Sequence, residues 1–165
     1  MALRKIIFDN ATVAARDLGA AFAGICADGR ISGGAVSYSG GVVNIGAGYL
    51  MACGRLIENS SAIQITPSGT SGVAQIVLTL DVSGSGTVNV VTRTAESEGA
   101  LTPLTQDDIN DGSSTTYEME LALVDLAQRT LIRAMGMAGH PIRIVDAAPE
   151  TGAADGLYFV RKAAE

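Results

Sequence analysis

Hydrophobic and polar positions change period several times along this chain, and glycine marks most of the changes. Near the start, Leu3, Lys5, Ile7 and Asp9 alternate with Arg4, Ile6, Phe8 and Asn10. That alternation predicts a strand with Ile6 and Phe8 on one face. From about Ala14 to Ile25 the period lengthens: Leu18, Phe22 and Ile25 recur at helical spacing and alanine fills the gaps. A short helix is expected there, with Asp28-Gly29 turning the chain out of it.

Asp28 to Ala62 reads as four or five very short strands separated by glycine-bearing turns. Gly29, Gly33, Gly34, Gly40, Gly41, Gly46, Gly48 and Gly54 fall at the turns, where the backbone needs positive φ or close approach. Ile31, Val36, Tyr38, Val43, Ile45, Tyr49, Met51, Leu56 and Ile57 supply the strand faces. Such a meander is a scaffold for packing and holds almost no group suited to acid–base chemistry.

The run Pro67–Gly72 breaks the pattern. Gly72–Val82 and Thr87–Arg93 then form the best hairpin of the chain. Ile76, Leu78, Leu80 and Val82 share a face, Ser83–Gly86 turn, and Val88 and Val90 continue on the return strand. Ala95–Ser114 is polar, acidic and poorly periodic, and is expected to be a long loop that bears function or an interface. Thr115–Met135 reads two ways. Thr115–Glu118 fits a capping box before strong helix formers. Against it, Tyr117, Met119, Leu121 and Leu123 alternate with Glu118, Glu120 and Ala122, with a turn near Ala127–Arg129. His140-Pro141 breaks the chain, and Ile142–Val145 and Leu157–Val160 read as two last short strands.

The fold class that follows is mainly β, a short-stranded meander or sandwich with one short N-terminal α-helix, in a single domain of 165 residues. Its parts are residues 1–27 (strand and helix), 28–94 (meander and hairpin), 95–114 (acidic loop) and 115–165 (C-terminal strands). Composition adds a surface argument. The chain is 47% hydrophobic but only 17% charged and 4% aromatic, without Trp. Soluble domains average nearer a quarter charged. Much of this surface is therefore expected to be covered by other subunits.

The net charge of −6 disfavours nucleic acid. Between Thr94 and Gln128 stand Glu96, Glu98, Asp107, Asp108, Asp111, Glu118, Glu120 and Asp125, with no Lys or Arg. Such a run reads first as a solvated loop and strand face; the sharper reading is a cation site or an electrostatic docking surface. Cys26 and Cys53 are too few for a secreted disulfide framework, and their apolar neighbours suggest small buried hydrophobes. No segment is long and apolar enough for a membrane span, and the N-terminus lacks a signal-peptide pattern, so cytoplasmic folding is expected.

Candidate chemistry is sparse. His140 is the one histidine, so a triad with a His base cannot be built. Cys26, Cys53 and His140 do not make a zinc site. Asp107, Asp108, Asn110 and Asp111 precede Gly112, yet the EF-hand spacing fails: from Asp107 the third position is Ile109, and from Asp108 the twelfth is Met119. Gly46-Ala47-Gly48 and Gly84-Ser85-Gly86 do not extend into phosphate loops. Glu118 and Glu120 would share a strand face, the arrangement of a glycosidase pair, but without an aromatic-lined cleft. No cofactor, metal or catalytic residue is expected.

The run Ala15–Glu58 resembles small structural proteins of tailed bacteriophages and prophages, those of the baseplate or tail tip such as upper-baseplate subunits and receptor-binding-protein adaptors. The residues carrying the resemblance are a short helix, Asp28-Gly29-Arg30-Ile31-Ser32-Gly33, then Ile45-Gly46-Ala47-Gly48 through Gly54-Arg55-Leu56-Ile57. Tyr117-Glu118-Met119-Glu120-Leu121-Ala122 matches a later strand of that pattern, which tips Thr115–Leu126 toward strand. The resemblance implies a β-rich virion subunit without catalysis, located in the tail and made in the bacterial cytoplasm. Implied partners are further copies of itself and other tail proteins, with no nucleic acid and no membrane insertion. The expected assembly residues are Leu3, Ile6 and Phe8 on a donated terminal strand and Asp107, Asp108 and Asp111 on the docking loop. The rival readings are a carbohydrate-binding module for host surface glycan and a head decoration protein.

Overall fold

A computed structural model describes residues 14–138, together with the backbone of two short strands within residues 143–160. The expected strand bearing Leu3, Ile6 and Phe8 lies outside the described residues, as does His140.

The chain is mainly β with one short helix near its N-terminus. Helix α1 spans Ala15–Ala23. Strands β1 (Gly29–Gly33), β2 (Val36–Ser39), β3 (Val42–Ile45), β4 (Gly48–Ala52), β5 (Arg55–Asn59) and β6 (Ile63–Ile65) follow. Then come β7 (Val73–Asp81), β8 (Thr87–Ala95), β9 (Thr116–Asp125), β10 (Thr130–Ala134), β11 (Arg143–Val145) and β12 (Tyr158–Val160).

The glycine-rich half is a three-stranded antiparallel meander folded across its middle. Pairing of β1 with β4 ends at Gly33↔Gly48, and pairing of β2 with β3 starts in the same register at Val36↔Ile45. Between them Gly34 N–H donates to Ala47 O and Gly46 N–H donates to Ala35 O, both at 2.9 Å. One long hairpin is thus bent so that its halves enter two sheets, ordered β1-β4-β5 and β2-β3-β6. Glycine makes the bend sterically feasible: Gly33 and Gly34 have φ of 61°, and a Cβ at Gly48 would sit 2.2 Å from Ser32 O. The outer side of β1 is closed by the chain after β10, where Arg30 N–H donates to Gly136 O and Ala138 N–H donates to Arg30 O.

The four-stranded sheet β10-β9-β7-β8 supplies the other layer. Val43 and Ile45 of β3 and Leu50 and Ala52 of β4 pack with Ala74, Ile76, Leu78 and Leu80 of β7 and Met119, Leu121, Ala122 and Val124 of β9. Within the segment Thr115–Leu126, Thr116–Asp125 is strand, and the hairpin to β10 turns through Arg129, whose φ is 54°. A bulge corrects one sequence expectation. The β7–β9 register shifts between Ile76 and Val77, so Ile76 faces Ala122 while Val77 faces Glu120. Leu121 and Ala122 both reach the core, and the alternation changes phase. Leu123 therefore leaves the face of Tyr117, Met119 and Leu121 and pairs with Gln75 on the opposite side. Val77 and Leu123 are fully buried on that second face.

Strands β11 and β12 pair in parallel, Arg143↔Tyr158 through Val145↔Val160, where two terminal strands were expected.

Candidate functional site

Several of the expected chemistry-bearing residues gather in two polar clusters that are largely paired internally, with Gln75 Oε1 and Arg93 Nη1 buried without a hydrogen-bond partner. The first lies on the second face of the large sheet. Glu118 and Glu120 are two residues apart on β9 and point the same way, as the strand period requires. Arg93 Nη2 bonds Glu118 Oε1 at 2.5 Å, and Thr105 N–H donates to Glu118 Oε2 at 3.0 Å. Arg133 donates from Nε and Nη2 to Glu120 and from Nη1 to Glu98. Gln75 Nε2 adds a 2.7 Å bond to Glu120. The hydrogen bonds it donates to Glu120 and Glu98 hold the Arg133 guanidinium above its ordinary value, so it stays a cation. The two carboxylates are held by arginine and stand against a packed sheet; the arrangement ties β8, β9, β10 and the acidic loop together.

The second cluster joins the helix side of the molecule to the acidic loop. Tyr117 Oη donates to Asp28 Oδ2 at 2.6 Å, and Cys53 N–H donates to Asp28 Oδ1 at 2.8 Å. Asn110 Nδ2 donates to Cys53 O at 3.1 Å, and Arg55 Nη1 donates to Asn110 Oδ1 at 2.6 Å. Asp108 accepts the Asn110 N–H at 2.8 Å, and the Cys53 Sγ lies 3.7 Å from its carboxylate. Cys53 packs half-buried against the hydrophobic core, as its apolar sequence neighbours suggest, and also meets this polar cluster: the β4–β5 turn, with Cys53 at φ 44°, carries it to Asp108 across 55 residues. Burial chiefly, with nearby Asp108, pushes its thiol up. A raised thiol is the reverse of what an activated nucleophile needs. Cys26 and Cys53 are both half-buried free thiols.

Helix α1 is seated on this cluster by contact between glycines. A Cβ at Gly54, whose φ is 71°, would lie 1.8 Å from Gly19 O. Gly19 is the buried residue of α1, facing Arg55 and Asn110. The apolar residues at helical spacing lie outside this contact: Leu18, Phe22 and, just beyond the helix, Ile25 are exposed by 42%, 38% and 56%.

Of the expected loop residues, Asp107, Asp108 and Asp111 are all exposed. Asp111 accepts the Ser113 N–H at 2.7 Å, and Ser113 holds its carboxyl below the usual range. Among the described residues no group of His, Cys, Asp and Glu is arranged to hold a metal ion. No described helix is long and apolar enough to cross a membrane.

Concavities occur among the described residues as well. A polar depression of about 290 Å³ lies between turns, lined by Tyr38, Gly40, Thr66, Thr70 and Arg129 among others. An apolar cleft of about 420 Å³ runs between β5 and β8. Leu56 and Ile57 form one wall, Val88 and Val90 the other, and Ile45, Leu50, Leu78 and Leu121 the floor. Sequence reasoning finds Val88 and Val90 as strand residues but not this cleft, because its walls lie some thirty positions apart and meet only when the meander folds onto the sheet. Comparison with protein-family models, with curated proteins and with solved structures finds no match.

Proposed function

We propose that this chain is a structural subunit of a bacteriophage virion, a baseplate or tail-tip component that works by assembling with copies of itself and with other tail proteins. The observation that carries this reading is the apolar stripe Leu18, Phe22 and Ile25, left exposed along the α1 side by the glycine seating of the helix. A chain this poor in charge gains by covering such a stripe with a neighbour. The arginine-held carboxylates and the raised Cys53 thiol agree with a role in assembly rather than catalysis. In this reading the exposed Asp107, Asp108 and Asp111 provide an acidic docking face for other tail proteins, and Leu3, Ile6 and Phe8 a strand given to a neighbour.

The deciding experiment is electron microscopy of purified particles in which this subunit carries a labelled tag. The expected label is at the tail end. Label on the head supports the decoration reading instead, and absence of the chain from infectious particles overturns the proposal. Binding to a glycan array by the isolated chain would favour the receptor-recognition reading.

A further inference from the structure

The polar depression lies where the end of β2, the chain after β6 and the β9–β10 turn meet, with Tyr38, Thr66, Thr70 and Arg129 on its walls. The chain has 17 acids, and none of them lines it. Its cation is uncommitted. Arg16, Arg30, Arg55, Arg93 and Arg133 each meet a polar partner, in turn Asp17, Gly33 O, Asn110, Glu118 and Glu120. Arg129 is exposed, and among the described residues its guanidinium makes no hydrogen bond and no ion pair. The acid nearest to it on β9, Asp125, accepts the Gln128 N–H at 2.7 Å. The backbone of Arg129 is costly as well. Its φ of 54° lies in the left-handed region, where glycine or asparagine sits at least expense. A strained residue whose charge is free, on the wall of a depression, points to a role beyond closing its turn.

We propose that this depression binds an acidic sugar unit, a ring bearing one carboxylate and several hydroxyls, and that Arg129 reads the carboxylate. A guanidinium presents a planar fork that matches a carboxylate in two parallel hydrogen bonds, and it is weakly hydrated for a cation. One fork compensates one negative charge. On a chain of net charge −6 a monoanion is therefore favoured over a doubly charged phosphate, whose second charge would stay unopposed. The rest of the wall suits a hydroxylated ring. Tyr38, Thr66 and Thr70 each carry a hydroxyl that can donate and accept, and none of the three has a side-chain hydrogen bond among the described residues. Gly40 and Gly41 keep one side bare, since a Cβ at either would meet nothing within 4 Å. The volume of about 290 Å³ is at the small end of ligand sites, which run upward from roughly 300 Å³, and suits a single ring. The apolar cleft between β5 and β8 has Glu58 and Asn59 on its walls and no cation, so it does not compete for this ligand. The site goes beyond the assembly reading and holds for the isolated chain wherever that chain sits in a particle.

The test is a titration of the full, isotope-labelled chain with D-glucuronate, followed by amide shifts in two-dimensional NMR. D-glucose, acetate and inorganic phosphate are titrated beside it at the same ionic strength. The expected result is saturable shifts confined to residues 38–41, 66–70 and 126–129, with glucuronate held tighter than the other three by about tenfold or more. Arg129→Gly should abolish the titration, and Arg129→Lys, which keeps the charge but not the fork, should weaken it by about tenfold. Glycine adopts this φ without strain, so Arg129→Gly keeps the fold, and thermal unfolding checks that loss of ligand is not loss of structure. Glucose binding as tightly as glucuronate, or Arg129→Gly binding like the wild type, overturns the role of Arg129. Acetate or phosphate matching glucuronate reduces the depression to an adventitious anion site and overturns the sugar assignment. No saturable shift with glucuronate overturns the proposal outright. Each of these failures leaves the assembly reading standing, because the position of the subunit in particles is tested separately.

Discussion

Tyr117 and Asp28, 89 positions apart, are joined by a 2.6 Å hydrogen bond from phenol to carboxylate. The same carboxylate takes the Cys53 N–H, so the start of β9, the entry to β1 and the β4–β5 turn share one anion. Removing the phenol hydroxyl in Tyr117→Phe leaves Asp28 with one partner fewer. A hydrogen bond to a charged group contributes about 1.5–3 kcal/mol. Because both side chains are only half-buried, the expected loss is near the lower end, read from urea unfolding.

The same pair sets an alkaline limit. Burial first, then the hydrogen bond and charge of Asp28, push the Tyr117 phenol well above its ordinary value. The folded state therefore holds the proton more tightly than the unfolded chain. The resulting stabilisation is complete below about pH 10, the unfolded phenol value, and is lost as pH rises from there toward the folded value. Unfolding free energies at pH 8 and pH 11 should differ more for the wild type than for Tyr117→Phe. Equal differences would show that Tyr117 does not carry the effect.

The two arginine clamps differ in depth, and their truncations should differ in consequence. Glu118 has a side chain 8% exposed and depends on Arg93; Arg133 is 44% exposed and its partner Glu98 54%. Arg93→Ala strands a buried carboxylate, a class of change costing roughly 3 kcal/mol or more. Arg133→Ala removes a cation that is itself 44% exposed, and Glu120, 17% exposed, keeps its bond from Gln75, so the loss should be smaller, about 1 kcal/mol. Thermal unfolding of both variants checks the order; a larger loss for Arg133→Ala would refute this reading of the second face.

Gly54→Ala tests the seating of α1. The new methyl meets the Gly19 carbonyl, and φ of 71° adds backbone strain of about 1 kcal/mol. The expected outcome is faster amide exchange throughout Ala15–Ala23 with the β7–β9 sheet protected as before, because the helix undocks without breaking the core.

Cys53 should alkylate slowly. Its raised thiol keeps the thiolate scarce at neutral pH, and the thiolate is the reactive form. Mass spectrometry after iodoacetamide at pH 7.5 should find Cys53 modified well below the rate of an unfolded control. Rapid modification would place Cys53 in a more open setting than the Asp108–Asn110 contacts allow.

The chain's own residues determine where its elements lie. Periodicity and glycine placement are local signals, so α1, the short strands from Gly29 to Asn59, and the β7–β8 hairpin with its Ser83–Gly86 turn are legible directly. Thr115–Met135 reads two ways because Tyr117–Leu123 carries a strand period within a helix-forming composition; pairing with β7 settles Thr116–Asp125 as strand.

What only the tertiary structure decided is how those elements meet. It bent one hairpin into two sheets at Gly33–Gly34 and Gly48, moved Leu123 across the sheet through a bulge, and set Arg93 on Glu118 and Tyr117 on Asp28. It also seated the helix on Gly19, leaving Leu18 and Phe22 exposed, and placed β8 at the edge of the four-stranded sheet among the described residues. Each of these depends on groups many residues apart coming within a few ångströms. No period along the chain encodes such distances, because close packing and the pairing of buried charge are properties of the assembled layers.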